Sequence, residues 1–147
     1  MKNIVGLVNA LILCACSTSM PLESHSELSV NTINKSQISG IETPKTIVVR
    51  DQISWKQLWL QHSKRDAMSS LPPVDFTKDM VLGVILGTRP DACYSVSIEK
   101  IHRINEKTIA EYSEFVPDKG AICPYGITSP SHFVVVNRPG FCGGWLV

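Results

Sequence analysis

A chain of 147 residues holds one compact domain and little more. Its 14 basic and 13 acidic residues nearly cancel, so the basic footprint of a nucleic-acid-binding surface is missing. The opening apolar run, Ile4 to Leu13, falls short of the roughly 20 residues a membrane-spanning helix needs.

The first residues, Met1-Lys2-Asn3, put a charge ahead of that apolar run, in the order of a secretory signal. The run ends in Leu13-Cys14-Ala15-Cys16, which resembles the lipobox of bacterial lipoproteins. The resemblance makes residues 1–15 a cleaved signal peptide, with Cys14 discarded, and Cys16 the acylated N-terminus of the mature chain. Cleavage there removes Lys2, the only charge in the first fifteen residues, and leaves acidic and basic side chains in balance. A membrane would then be engaged through lipid at Cys16 and not through a polybasic patch. Ser17 stands where inner-membrane lipoproteins often carry aspartate, so the resemblance points to the outer membrane.

Ser17 to Ile41 is rich in Ser, Thr and Asn and shows no clear helical or strand period. Such a composition buries too little apolar surface to offset the entropy of ordering. Residues 16–42 therefore read as a flexible tether, with a mean reach of about 25–30 Å. The folded domain is expected over 43–147.

Thr46-Ile47-Val48-Val49-Arg50 reads as the first strand. Ser54 and Gln57 then form a capping box, with Ile53 and Leu58 spaced as a hydrophobic staple. Trp55, Leu58, Trp59 and His62 recur at i, i+3, i+4 and i+7, which predicts a helix from Trp55 to Lys64 with an aromatic core face. After the break at Leu71-Pro72-Pro73, Met80 to Leu86 is apolar apart from Gly83 and suits a central strand covered on both faces. Gly87 to Asp91 carries turn chemistry. Tyr94, Val96 and Ile98 alternate with polar residues, the period of a half-buried strand. Asn105-Glu106 marks a turn, Thr108 to Phe115 a partner strand, and Pro117 to Pro130 a long loop. His132 to Val136 reads as the last strand, followed by a glycine-broken apolar tail. The fold class is α+β, mostly β: one antiparallel sheet of about five strands with a helix packed on it, or a small sandwich.

Several of these blocks resemble one family. Trp55-x-x-Leu58-Trp59, Val74-Asp75-Phe76-Thr77-Lys78-Asp79-Met80-Val81, Gly87-Thr88-Arg89-Pro90, Tyr94 to Ile98, and Thr128-Ser129-Pro130-Ser131-His132 look like the PrcB C-terminal domain. That family is named for a lipoprotein that stabilises a surface protease complex. The likeness runs from about Ile47 to Val136. Where relatives often carry two glycines before the tyrosine, this chain has Ala92 and Cys93, so the turn there must be made differently. The resemblance implies a non-enzymatic, protein-binding or scaffolding role.

Residues that carry chemistry are few. Cys123-Pro124-Tyr125-Gly126 resembles the start of a glutaredoxin active site, but a reactive thiol of that kind sits at a helix N-terminus. Ile127-Thr128-Ser129-Pro130 does not read as helix. In an oxidising compartment a disulfide is the structural reading. Cys93, Cys123 and Cys142 remain after lipidation, and strand order favours Cys93–Cys123, because the hairpin returns the chain to the end where Cys93 lies. The last strand then carries Cys142 some 20 Å away. His25, His62, His102 and His132 have no metal spacing, Asp75 and Asp79 read as turn and strand-entry residues, and no catalytic residue, cofactor site or metal site is expected. Two alternatives stand beside the protein-binding role. One is a small exported thiol-dependent enzyme. The other is a hydrophobic-ligand carrier with a pocket lined by Trp55, Trp59 and Phe133.

Overall fold

The computed structural model describes residues 25–65, 69–104 and 107–138. The expected signal peptide with Cys14, the expected lipidation site Cys16, the expected turn at Asn105-Glu106, Cys142 and the rest of the C-terminal apolar stretch lie outside these residues. The described chain is mostly β, with antiparallel sheets and one α-helix.

The elements in chain order are β1 (His25–Leu28), β2 (Asn31–Ser36), β3 (Lys45–Val49), α1 (Gln52–His62), β4 (Asp79–Ile85), β5 (Arg89–Asp91), β6 (Ser95–Ile104), β7 (Lys107–Phe115), β8 (Tyr125–Thr128) and β9 (Ser131–Asn137). They form three sheets, in the orders β2-β9-β4-β3, β1-β6-β7 and β5-β8. The fold is thus α+β and mostly β as expected, and of the two arrangements left open, a single sheet of about five strands or a small sandwich, the described strands form the second, with a small ribbon beside it.

Strand β4 is the centre of the molecule. From Met80 to Ile85 every residue is buried, because the strand is covered on both faces. Met80, Leu82 and Val84 face one way and join Val96, Ile98 and Ile101 of β6 and Val134 and Val136 of β9. Val81 and Ile85 face the other way, towards Trp55, Leu58 and Trp59 of α1 and Phe133 of β9. The layers are therefore helix, four-stranded sheet, three-stranded sheet. At roughly 1.5–3 kcal/mol for each buried large apolar side chain, these two cores supply most of the driving force.

The face of α1 follows the 3.6-residue period, with Trp55, Leu58, Trp59 and His62 buried. Its start does not follow the capping-box expectation. The N-cap is Asp51, whose side chain accepts the Ser54 N–H at 2.8 Å. That bond holds the Asp51 carboxyl below its usual range. Ile53, expected as half of a staple, is 72% exposed.

The flexible-tether reading of 16–42 is corrected from residue 25 onward. Strand β1 pairs with β6, and β2 pairs with the edge of β9. Ser39 and Ile41 are buried, and Ser39 N–H donates to the Ser129 carbonyl at 3.0 Å. A segment too polar to fold alone is ordered because β9 offers a row of backbone donors and acceptors. The folded region thus includes residues before 43. The expected loop from Pro117 to Pro130 also contains β8, which pairs with β5, itself expected only as turn.

Candidate functional site

One end of the molecule collects the unusual features. The hairpin β6–β7 pairs Ser95 with Phe115 there, and the chain immediately before and after it carries the two cysteines. Cys93 and Cys123 are joined by a disulfide, with Cα atoms 5.5 Å apart. The turn at Ala92-Cys93, ahead of Tyr94, is made by Asp91. Its Oδ1 accepts the Cys93 N–H at 3.0 Å, an Asx-type turn that Ala92 and Cys93 tolerate. The Asp91 carbonyl accepts the Thr128 hydroxyl at 2.7 Å, and the Ala92 N–H donates to the Pro124 carbonyl at 3.2 Å. The β5–β8 ribbon is therefore fixed by a covalent bond and several hydrogen bonds.

Arg89 ties the ribbon to the hairpin. Its Nε and one terminal nitrogen donate to Glu114 Oε1 at 3.0 and 2.9 Å, and the guanidinium lies 5.7 Å from the Tyr94 ring centroid. Both charges are partly shielded from water, so the fork has more orienting value than an open surface pair.

On this fixed frame the apolar side chains point outward. Ile122 and Tyr125 are fully exposed, and Phe115, Val116 and Ile127 are more than half exposed. Exposed large apolar residues gathered at one end of a small domain make that end the candidate contact surface. Sequence reading missed this role: Ile122, Tyr125 and Ile127 lie in the long loop, which was taken as connection only, and Phe115 was read simply as the end of a strand. The available signal was an apolar residue on each side of a disulfide cysteine, Ile122 and Tyr125, in a stretch with no core to fill.

The remaining candidates have structural partners. Asp91, Cys93 and Cys123 place ligand atoms within 4.8 Å of one another, but sulfurs bonded to each other offer no thiolate to a metal. The same bond occupies the Cys123 sulfur that thiol chemistry would use. His132 is buried in β9. The Ile98 N–H donates to its Nδ1 at 2.8 Å, which fixes the neutral tautomer with the proton on Nε2. Nε2–H then donates to Thr32 Oγ1 at 2.8 Å. Burial, and secondarily the Lys35 charge, lowers its pKa. His62 is buried beside Ser39 Oγ, 3.1 Å from Nδ1. Nε2 of His102 meets Glu111 at the surface. Asp75 accepts the Thr77 N–H in a turn, and Asp79 opens β4.

Trp55, Trp59 and Phe133 do not surround a pocket. Their ring centroids are 5.2, 5.8 and 6.4 Å apart pairwise, and the two indole N–H groups donate to the Pro72 and Ser69 carbonyls. They are core. No protein-family model matches the chain, and no curated protein or solved structure matches it.

Proposed function

We propose that this is a lipid-anchored, non-enzymatic protein of the cell envelope, on the outer membrane, whose β-rich domain binds and stabilises a partner protein. The observation that carries the reading is the exposed apolar end held by the Cys93–Cys123 disulfide. By the resemblance to the PrcB C-terminal domain, the partner is a protease complex.

The polarity of the molecule supports this. His25 pairs with Ile104, at the opposite end of β6 from Ser95 and Phe115. A strand of ten residues spans about 33 Å. A lipid on Cys16, nine residues before His25, would attach near the first end and present the apolar end away from the bilayer. Tyrosine, here Tyr125, is among the residue types that supply most of the energy in protein interfaces. The alternative of a thiol-dependent enzyme loses support because Cys123 is already bonded.

The test combines two variants of the tagged full chain in its own envelope. Cys16→Ser should move the protein from the membrane fraction to the soluble fraction, and retention through a salt wash would count against lipidation. Ile122→Ser with Tyr125→Ser should leave the melting temperature unchanged, since both side chains are outside the core, and should abolish co-purification of the cross-linked partner. Recovery of the same partner with that variant would sink the proposed surface.

A further inference from the structure

The gap between the two stacked sheets is filled unevenly. Between β4 and β6 it is closed by Leu82, Val84, Val96 and Ile98, all buried. Strands β3 and β7 are the outer strands on one side of the stack. Their inward positions are Thr46 and Val48 on one sheet and Thr108 and Ala110 on the other. Facing sheets lie about 10 Å apart, a distance that side chains of this size do not bridge. The result is a slot made of two adjoining cavities of about 310 and 280 Å³, which share Thr46, Val84 and Tyr112. Clefts that hold small molecules run from about 300 to about 1,000 Å³.

Charge is segregated along this slot. The cavity at the Lys45 end is lined by Lys45, Arg89 and Glu114, whereas no charged residue is among those lining the other. There the floor is Leu82, Val84 and Ile98 and the walls are Val48 and Ala110. Arg89 is paired with Glu114, and the Lys45 ammonium makes no ion pair with a described residue. Two cations against one carboxylate leave a surplus positive charge at that end alone.

Length sets the size of the occupant. From the level of Thr108 to that of Glu114 the slot runs six residues, or about 20 Å. One acyl chain spans half of a bilayer's hydrocarbon core, or about 15 Å. A tail of that length on the apolar floor brings a carboxylate at its end to Lys45.

We infer that the slot binds a free single-chain fatty acid, its tail between β3 and β7 and its carboxylate beside Lys45. The tail exchanges water for Leu82, Val84 and Ile98, which favours binding in proportion to the apolar area covered. The carboxylate takes up the unpaired cation. A phospholipid with two chains exceeds the width of a single slot. An extended peptide suits it less, because facing side chains line its interior, and a peptide backbone there leaves polar groups without partners. Ile122, Tyr125 and Ile127 do not line the slot, so this site is separate from the apolar end and does not rest on the partner-binding reading.

The test uses the full chain with Cys16→Ser, in which the residue expected to be acylated is gone and no attached acyl group competes. Binding of cis-parinaric acid, a fluorescent straight-chain fatty acid, should saturate at one molecule per chain and be reversed by palmitate. Lys45→Glu should weaken it by at least about tenfold, and methyl palmitate should compete about fivefold less well than palmitate. Ala110→Trp fills the slot from β7 and Val48→Trp fills it from β3. Both positions are exposed, so each variant should keep its melting temperature and lose binding. Ile53→Trp, on the exposed face of α1, should bind like the parent. Ile122→Ser with Tyr125→Ser should also bind like the parent, which separates failure here from failure of the partner surface. Absence of saturable binding, or unchanged binding in both slot variants, overturns the inference. So does competition by methyl palmitate or lysophosphatidylcholine equal to that of palmitate. A cross-link from a photoreactive residue at position 110 to any polypeptide, in place of fatty acid, would make the slot a peptide groove and overturn it too.

Discussion

A single imidazole connects three strands of this fold. His132 lies on β9 and takes the Ile98 N–H of β6 on one nitrogen while its other nitrogen meets Thr32 of β2. The sequence shows a histidine in an apolar strand and nothing of these partners, which are 34 and 100 residues away. Protonation would turn both nitrogens into donors and break the Ile98 bond. Burial and, after it, the Lys35 charge oppose the same step, so the folded pKa lies below the ordinary 6.5. The unfolded chain therefore binds the proton at a higher pH than the folded one. The contribution of His132 to stability is complete above about pH 6.5, declines as pH falls through the folded pKa, and is flat below it. His132→Leu should remove this slope and cost about 1–3 kcal/mol above that pH, since the Ile98 N–H is left buried without an acceptor. Denaturant midpoints of both proteins from about pH 8 to about pH 5 check this. Equal slopes in the two proteins would assign the dependence to another group.

The elements were legible in proportion to their own apolar pattern. Strand β4 could be read because both its faces are covered, and the face of α1 because its aromatic residues repeat with the helical period. The start of α1 was misread because Asp51 and Ser54 are both good caps, and only backbone geometry decides between them. Strands β1 and β2 were invisible for another reason. Ile33 is the only residue of β2 packed on the helix-side core, so the strand's order comes from long-range pairing with β9. The ribbon β5–β8 is three residues against four and is held mostly by the disulfide beside it. The helix–sheet contact itself turns on Gly83. Phe133 lies across it from β9, and a Cβ at position 83 would come within 2.6 Å of that ring. The ring cannot retreat, because Trp55, Trp59 and His62 surround it. Replacing Gly83 by Ala would gain less than about 1 kcal/mol of strand preference. Overpacking costs about 1–3 kcal/mol, so the net effect of Gly83→Ala is destabilising. Adding Phe133→Leu to that variant should recover part of the loss in a urea titration. No recovery would mean that the ring is not the obstacle. Trp59→Ala removes a neighbour of the same ring and should cost about 3–5 kcal/mol, read as a fall in melting temperature with partner capture retained by the fraction that folds.

Across the whole molecule, the end where His25 pairs with Ile104 and the apolar end are separated by the length of β6, and the bond that fixes the apolar end was legible from strand order alone. A hairpin returns the chain to where it started, so Cys93 before β6 and Cys123 after β7 meet, as the pairing of Ser95 with Phe115 shows. What strand order could not show was that residues 115–127 project apolar side chains, since burial depends on which surfaces remain uncovered after folding. The loop closed by the bond is 30 residues long, and it contains the entire β6–β7 hairpin. In the chain-entropy picture its closure stabilises the fold by about 3–4 kcal/mol. Cys93→Ala and Cys123→Ala should therefore each lower the denaturation midpoint to the same degree, and the double variant no further, because a single bond is lost in all three. Reductant should bring the unmodified chain to that same midpoint and leave the double variant where it is. Cys142→Ala should leave the disulfide, and hence its sensitivity to reductant, in place. The shape of this result separates two roles. If the bond only constrains the unfolded chain, partner capture by the folded reduced protein is retained. If it also holds Ile122 and Tyr125 in position, capture falls with reduction even under conditions where the domain remains folded. Capture measured well below the melting temperature of the reduced protein decides between them. Loss of capture there, with an unchanged near-ultraviolet spectrum of the tryptophan core, is the outcome expected from an interaction surface built on the disulfide.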